Sequence, residues 1–357
     1  MTIKTIEGIK IAAVSVALPT QKIEVTSYTD IFGEEVVQKF IETTGVESVC
    51  RSLPEQTASD LGFEAAKNLF EKKNINKEEV GILVFISQKP DFRAPTSAYI
   101  LHERLDLPED CLCLDINLAC SGFLVALHTI HTLLKNSNSN KALLITADTS
   151  HKTLSPYDRT MIMLFGDSGS AILLEKTSED YQAHFAIRSD GNRFKSIITP
   201  AGAYRNQDLP YERVSWSDGI LRSDYDTHMK GMDVFGFSIT DVPKLMKSFL
   251  EDLEKTPNDF DFFTLHQANL YILKQIARKI KIPMDKIPVS LDRFGNNSSN
   301  SVPLVLADYF YNLSTSKELK LFMSGFGAGL SWACADIVVS SEAILPILYT
   351  DNYYDLL

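Results

Sequence analysis

Short apolar runs recur along the chain and predict strands. Continuous apolar runs of this length are typical of strands that are covered on both faces of a sheet. The predicted strands are Ile9–Leu18, Val80–Ser87, Leu143–Asp148, Ser170–Glu175, Asp261–His266, Leu319–Gly325 and Ala333–Ser340.

Between these runs, apolar residues recur at the spacing of one helix face. The predicted helices are Ala58–Lys72, Pro95–Arg104, Gly122–Leu134, Val242–Leu253, Leu270–Ile280 and Val302–Asn312. Because strands and helices alternate, the pattern predicts an α/β protein whose layers contain largely parallel sheets.

The order of these parts repeats once along the chain. The first half runs through GILVFIS, NLACSGF, ALLITAD and FGDSGSAILLE, and the second runs through DFFTLH, FGNNSSNSVP, LKLFMSG and GFGAGLSWACADIVV. The repeat predicts two duplicated halves, residues 1–178 and 179–357, with coincidence as the alternative because βαβ units are common. The polar stretch Gly202–Asp226 is interpreted as an insertion.

Composition restricts the class of protein without naming a function. The 357 residues are 45% hydrophobic and 23% charged, which is ordinary for a globular protein with a large core. The formal net charge of -11 argues against nucleic acid as the main partner, but it leaves room for a local basic patch. The apolar runs are shorter than the roughly 20 residues of a membrane span, and the N-terminal segment is interpreted as a strand, not a signal peptide.

Cys120 is the candidate nucleophile among five cysteines. It follows a strand-like segment and opens an apolar helix, where the positive end of the helix dipole favours thiolate. The alternative is a small buried hydrophobic residue, and that interpretation applies to Cys50, Cys111, Cys113 and Cys334. The odd number of cysteines and the lack of C-x-x-C spacing favour a reducing cytoplasm and give no metal site.

Two further polar residues stand where α/β proteins gather functional groups. His266 ends an apolar strand, although a histidine capping a strand is the plain alternative. Asn296 lies in a Gly/Asn/Ser run that usually forms only a turn and helix cap, yet a side-chain amide can donate to an oxyanion. The turn Gly325–Gly329 could aim backbone N–H groups at an oxyanion, and the chain lacks a nucleotide-binding glycine motif.

The chain contains four motifs in a fixed order: Cys120 in LACSGF, His266 in HQAN, Asn296 in a GNxS-like turn, and a terminal GFGxG. This combination resembles the ketoacyl-ACP synthase III family of the thiolase superfamily. The resemblance spans nearly the whole chain, and it also covers TGV at Thr44–Val46, FGDSGSA at Phe165–Ala171 and MKGMDVF at Met229–Phe235. It implies a five-layered αβαβα fold of two duplicated halves.

The resemblance also implies roles for individual residues. Cys120 would take an acyl group from a thioester, and His266 and Asn296 would stabilise the enolate that decarboxylation of a malonyl thioester leaves. Backbone N–H groups of Cys120 and Ala328 would form an oxyanion hole. The substrate tunnel would include Ala94 and Phe326. Acyl-CoA or acyl-ACP and malonyl-ACP would be substrates, with no resident cofactor, in a cytoplasmic homodimer of fatty acid or related lipid or polyketide biosynthesis.

Three positions depart from the family pattern. Lys39 and Thr43 stand where many relatives carry a Trp and an Arg that bind coenzyme A, and Tyr271 replaces an Arg linked to carrier docking. These departures favour an alternative in which Cys120 passes its acyl group to a non-malonyl acceptor in secondary metabolism. A catalytically silent scaffold that only binds an acyl chain or a partner enzyme is the third hypothesis.

Overall fold

The computed structural model describes residues 3–313 and 316–355. The strands are, in chain order, β1 (Lys4–Glu7), β2 (Ile9–Leu18), β3 (Gln21–Glu24), β4 (Ser48–Arg51), β5 (Val80–Ile86), β6 (Leu112–Ile116), β7 (Lys141–Asp148), β8 (Ser168–Lys176), β9 (Gln182–Ser189), β10 (Ile197–Ile198), β11 (Val214–Ser215), β12 (Leu221–Arg222), β13 (His228–Met229), β14 (Phe262–Leu265), β15 (Glu318–Gly327), β16 (Ser331–Ser340) and β17 (Leu348–Tyr349). The α-helices are α1 (Thr29–Phe32), α2 (Glu34–Thr44), α3 (Ala58–Lys73), α4 (Ser97–Leu105), α5 (Gly122–Lys135), α6 (Gly231–Asp252), α7 (Leu270–Ile280), α8 (Leu291–Phe294) and α9 (Ser301–Phe310).

The main sheet consists of two arms that share one strand order. The first arm runs β6-β5-β7-β8-β2, and the second runs β14-β15-β16-β9-β1. Strands β5-β7-β8-β2 of the first arm correspond to β14-β15-β16-β9 of the second. In both sets the first pair of strands is parallel, and the next two pairs are antiparallel. The arms meet where β2 pairs with β16 through Ile11 and Val339.

Alternate side chains of each arm point into different layers, as a strand period of two requires. In β5, Leu83 and Phe85 pack toward α3 and α4 on the outer face, whereas Ile82, Val84 and Ile86 pack toward α5 and α9. The first arm is therefore covered by helices on both faces, with α5 and α9 on its inner side.

The second arm is covered in the same manner. In β14 and β15, Phe263 and Phe322 face α6 and α7, whereas Leu321 and Met323 face α5 and α9. The layers are thus α3/α4, first arm, α5/α9, second arm and α6/α7. This is the five-layered αβαβα architecture that the resemblance implies.

Most predicted elements are present, but the prediction of largely parallel sheets is wrong. The sheet is mixed, because β8 lies antiparallel to β7 and β2, and β16 lies antiparallel to β15 and β9. Strand β9 was not predicted, because the longest apolar run in its sequence QAHFAIRS is three residues, Phe185–Ile187, which is too short to indicate a buried strand. Helix α6 begins at Gly231 and continues through Pro243, eleven residues before the predicted start at Val242.

The halves are not fully separate along the chain. Strand β1 comes from the N-terminal segment, yet it pairs antiparallel with β9 and extends the second arm. The connection from β8 to β9 contains the predicted join near Lys176–Gln182. The matching strand order supports duplication, and the boundaries 1–178 and 179–357 stay a prediction.

The predicted insertion is a mostly irregular segment. Arg222 pairs with the buried Asp158 at 2.6 Å, which holds the segment to the body, whereas Arg213 pairs with Asp226 at 2.8 Å within the segment. Short strands β11 and β12 form a small antiparallel ribbon there. Within residues 3–313 and 316–355, no helix has the length and apolar character needed to cross a membrane.

Candidate active site

Cys120 lies in the connection between β6 and α5, and the end of β15 packs against it. A Cβ atom added at Gly327 would lie 2.7 Å from the Cys120 Cβ and 3.0 Å from its Sγ. One added at Gly325 would lie 2.9 Å from the Cys120 carbonyl oxygen. Glycine at these positions therefore lets the second half approach the candidate nucleophile of the first half.

The surroundings of Cys120 hold its thiol neutral. Burial, followed by the charge of Asp148, raises the pKa of the Cys120 thiol to about 12, although the residue retains some exposed surface. Hydrogen bonding with Ser298 acts in the opposite direction without overcoming burial. The raised pKa runs against the expectation of a thiol tuned toward thiolate, because desolvation outweighs the hydrogen bonds that favour the anion.

His266 directly follows β14 and is buried. Its backbone N–H donates to the Ser324 carbonyl at 2.7 Å, which extends the pairing of β14 with β15 by one residue. The ring Nδ1 lies 3.1 Å from the Ser301 hydroxyl, and the ring meets Phe326 edge-on at 5.1 Å between centroids. Burial lowers the pKa of His266 to about 3, so the imidazole is neutral at physiological pH.

Asn296 is fixed by backbone bonds on both sides. Its N–H donates to the Leu164 carbonyl at 2.8 Å, and its carbonyl accepts from Gly166 at 3.1 Å. The side-chain Oδ1 accepts from the Ser298 N–H at 2.9 Å. That bond orients the amide, so that Nδ2 is the end with protons to donate.

Ser298, which the sequence analysis did not single out, connects all three predicted residues. Its hydroxyl lies 4.0 Å from the Cys120 Sγ, and its N–H binds Asn296. Its carbonyl accepts from Ser301 at 3.0 Å, and hydrogen bonding with this backbone raises the pKa of His266 against the larger effect of burial. Ser298 has φ +50°, a left-handed conformation that is rare for residues with a Cβ and clusters at functional sites.

A second residue that was missed is Asp148, at the carboxyl end of β7. It is 1% exposed, and its carboxylate accepts from the Ser87 and Ser299 hydroxyls and from the Gln88 N–H. Its position at a strand end is the same signal that singled out His266, and applying it to every strand would have found Asp148.

The remaining predicted site residues lie in different settings. Ala328 follows Gly327 in the turn after β15, and its carbonyl accepts from the Ser331 hydroxyl at 3.2 Å. Phe326 is 2% exposed and packs on His266. Ala94 is exposed in the loop between β5 and α4. A backbone oxyanion hole at Cys120 and Ala328, and a tunnel that contains Ala94 and Phe326, stay predictions.

Two family models match the chain. The model of 3-oxoacyl-[acyl-carrier-protein] synthase III matches residues 114–191, and the model of the C-terminal part of that enzyme matches residues 250–339. The beta-ketoacyl-[acyl-carrier-protein] synthase III of Clostridium perfringens is 31% identical over 84% of this chain and 93% of the relative. The chain belongs to the 3-oxoacyl-[acyl-carrier-protein] synthase III family.

Solved structures agree with this synthase III assignment. A 3-oxoacyl-(acyl-carrier protein) synthase from Burkholderia xenovorans superimposes with a TM-score of 0.91 at 32% identity and covers 98% of this chain and 99% of its own. A 3-oxoacyl-(acyl-carrier-protein) synthase III matches with a TM-score of 0.87 at 31% identity over 92% of this chain and 99% of its own.

The predicted family and thiolase-like fold are therefore confirmed, and the protein is a condensing enzyme of the acyltransferase class. The family departures map to the surface: Lys39 and Thr43 are exposed on α2, and Tyr271 is 47% exposed on α7. Tyr271 stacks on Phe235 with ring centroids 5.7 Å apart.

Proposed function

We propose that the protein condenses an acyl group carried on Cys120 with a malonyl thioester, releasing carbon dioxide and a 3-oxoacyl thioester. The observation that carries the proposal is the convergence of groups from both halves on Ser298. Its hydroxyl meets the Cys120 Sγ at 4.0 Å, its N–H binds Asn296, and its carbonyl neighbours His266. A nucleophile and two neutral donors thus share one small site.

In the first step, the Cys120 sulfur attacks the carbonyl carbon of an acyl thioester. The new C–S bond to Cys120 forms, the C–S bond to the donor breaks, and the donor leaves as a thiol. Backbone N–H groups of Cys120 and Ala328 would hold the oxyanion of this step; one such donor typically contributes about 10²–10³ in rate. Covalent transfer divides one difficult reaction into two easier ones.

In the second step, a malonyl thioester loses carbon dioxide, and the electron pair of the broken C–C bond forms an enolate. The enolate oxygen accepts hydrogen bonds from Asn296 Nδ2 and from His266 Nε2. In this tautomer Nδ1 carries no proton, and the Ser301 hydroxyl turns from the Ser298 carbonyl to donate to Nδ1 instead. The carbanion attacks the acyl carbon, and the Cys120 sulfur leaves as the thiolate. Because burial keeps His266 neutral, the ring acts as a donor without a charge.

The partners are proposed from the same chemistry. The acyl donor is acyl-CoA or an acyl carrier protein, the extender is malonyl-ACP, and no resident cofactor takes part in either step. We also propose a homodimer formed along β6, an edge strand on which Leu112 is 50% exposed and Leu114 is 36% exposed. Exposed apolar edge strands are usually covered in native proteins. A Leu112→Asp/Leu114→Asp variant should sediment as a monomer.

A second candidate keeps the acyl-Cys120 and passes it to a non-malonyl acceptor. The exposed Lys39, Thr43 and Tyr271, which replace the usual coenzyme A and carrier contacts, favour this candidate. A strict requirement for malonyl-ACP in turnover would reject it.

The proposal is tested by supplying malonyl-ACP with a panel of acyl thioesters of increasing length. We expect carbon dioxide release that matches 3-oxoacyl product in amount, and that depends on both substrates. The matched control is Cys334→Ala. Cys334 is a buried thiol on β16 that bonds Ser324 on β15, and it is not the candidate nucleophile. No product with any primer would contradict the proposal.

A further inference from the structure

Ser121 is the N-cap of α5, yet its hydroxyl does not cap that helix. Serine at this position usually accepts a hydrogen bond from a backbone N–H of the first helical turn, a bond that Ser121 makes with none of the described residues. Its side chain is buried, and the hydroxyl lies 2.5 Å from the hydroxyl of Ser331, the first residue of β16. The residue that follows the candidate nucleophile is therefore tied to the other half of the molecule.

Ser331 continues this contact to Ala328, whose N–H is a predicted oxyanion donor. The Ser331 hydroxyl donates to the Ala328 carbonyl at 3.2 Å, so its one proton is already in use. The Ser121 hydroxyl must then be the donor in its contact with the Ser331 oxygen. The two hydroxyls form a directed chain of hydrogen bonds that starts at Ser121 and ends at the backbone of Ala328.

The turn that contains Ala328 depends on such an anchor. Ala328 is flanked by Gly327 and Gly329, and glycine restricts the backbone less than any other residue. Gly327 is buried, but Ala328 is half-buried and Gly329 is exposed, so packing holds the turn on one side only. The hydrogen bond from Ser331, which is 6% exposed, restrains the Ala328 backbone on the other side.

We infer that Ser121 and Ser331 are positioning residues that hold the Ala328 N–H toward the acyl carbonyl of the first step. The inference rests on the proposed function, because Ala328 supplies one of the two oxyanion donors in that step. A donor accelerates the reaction most when it already points to the place where the oxyanion forms, so a looser turn should slow acylation. Neither serine takes part in the bond changes of the step.

The test compares two reactions of the same Cys120 sulfur in each variant. Acylation by an acyl thioester passes through an oxyanion, whereas alkylation by iodoacetamide does not. Both are measured as single-turnover rates on the Cys120 peptide by mass spectrometry, with the acyl thioester at saturating concentration. Because poor folding, lost access or a less reactive thiol would slow both reactions, the ratio of the acylation rate to the alkylation rate reports the oxyanion donor.

Ser331→Ala removes the hydrogen bond to Ala328. It should lower the acylation rate about 10–100-fold and change the alkylation rate less than about threefold. Ser331→Thr keeps a hydroxyl and should acylate within about threefold of the wild type. A Ser331→Thr variant that acylates as slowly as Ser331→Ala would show that the hydroxyl is not the cause, and it would overturn the inference.

Ser121→Ala removes the donor to Ser331 and should lower the acylation rate about three- to tenfold. This milder change keeps the test decisive if Ser331→Ala does not fold. Because Ser121 acts through Ser331, the double variant should acylate within about twofold of Ser331→Ala alone. Losses that multiply in the double variant would contradict a single chain of hydrogen bonds.

Ser238→Ala is the matched control. Ser238 is another buried serine whose hydroxyl donates to a backbone carbonyl, that of Val234 at 2.7 Å within α6. The variant should leave the ratio of acylation to alkylation unchanged. A lower ratio in Ser238→Ala would show that losing any buried serine hydroxyl slows acylation, which would overturn the positioning role.

The inference and the proposed function fail separately. If wild-type Cys120 takes an acyl group and Ser331→Ala takes it at the same rate, the positioning role is wrong and the proposed function stands. If wild-type Cys120 is alkylated but accepts no acyl group from any thioester, the proposed function fails and the inference fails with it.

Discussion

The two arms of the sheet have the same strand order, but they present different chemistry at the ends of matching strands. In the first arm, β7 ends in the carboxylate Asp148, next to the thiol of Cys120. In the second arm, the matching strand β15 ends in Gly327, which has no side chain, and β14 is followed by the neutral His266. One arm supplies the candidate nucleophile and a buried carboxylate, and the other supplies an uncharged imidazole and space.

This difference shows how a repeated framework can be divided between two reaction steps. Under the proposed function, the first arm has the nucleophile that covalent transfer needs. The second arm has what an enolate needs, hydrogen-bond donors that are already oriented in a dry site. The predictions below separate these two tasks, beginning with the largest expected effect.

Cys120→Ala should abolish the acyl-enzyme and reduce condensation at least about 10³-fold, because the covalent route is lost. Intact-protein mass after exposure to an acyl thioester measures the first effect, and product formation measures the second. Cys334→Ala is the matched control and should acylate normally. An undiminished acyl adduct in Cys120→Ala would place the nucleophile elsewhere.

Asn296→Ala should reduce condensation about 10²–10³-fold while leaving single-turnover acylation of Cys120 within a few-fold of normal. The reason is that, under the proposed function, its amide contacts the enolate and not the acyl donor. Rapid-quench measurements of the two steps give the comparison. Equal losses in both steps would show that the two arms do not divide the reaction as argued.

Gly327→Ala should impair acylation and lower the free energy of unfolding by about 1–3 kcal/mol, because its Cβ would lie 2.7 Å from that of Cys120. Gly236→Ala, in α6 with nothing within 4 Å of the added Cβ, is the control and should stabilise by about 0.5–1 kcal/mol. Urea unfolding and acylation rates measure both. A neutral Gly327→Ala would mean that the arms do not meet as closely as described.

Acid should destabilise the protein through two buried histidines. Burial lowers the pKa of His266 to about 3 and that of His131 to about 4, both below the ordinary value of 6.5. As the pH falls below about 6.5, these histidines bind protons in the unfolded chain but not in the folded protein. The free energy of unfolding is therefore highest above about pH 6.5 and decreases as the pH drops toward 4. The slope is up to about 1.4 kcal/mol per pH unit for each histidine.

His131→Leu should reduce the change in the free energy of unfolding per pH unit by the contribution of one histidine. It should not affect either reaction step. His131 lies on α5 and bonds the Leu127 carbonyl, away from the groups that meet at Ser298. Urea unfolding at several pH values is the measurement. An unchanged slope would show that His131 is not held neutral in the folded protein.

The sequence predicted the parts of the fold whose signal is local. Strand β2 and helix α7 have the bounds that their apolar patterns predict, Ile9–Leu18 and Leu270–Ile280. The mixed direction of the sheet was missed, because strand direction depends on how connections cross the layers and not on any one run. Strand β9 was missed because its apolar run, Phe185–Ile187, is only three residues long.

For the site, motif order predicted that Cys120, His266 and Asn296 act together. In the structure, Cys120 lies against the loop of Asn296 and His266 lies beside that loop, and the catalytic roles of the three residues stay a prediction. Ser298 was not predicted, because its contacts depend on a left-handed backbone conformation that the sequence does not reveal. This conformation brings its hydroxyl, N–H and carbonyl to three different neighbours. The raised pKa of Cys120 was also missed, since a helix N-terminus is visible in sequence whereas burial and the charge of Asp148 are not.

The central claim is that groups from both arms act in turn on one sulfur atom. The most direct test follows the mass of the Cys120 peptide over time, after an acyl thioester is added first and malonyl-ACP second, in the wild type and in Asn296→Ala. We expect the acyl adduct to form in both proteins and to be discharged as 3-oxoacyl product rapidly only in the wild type. An adduct that malonyl-ACP discharges equally fast in both proteins would contradict the account.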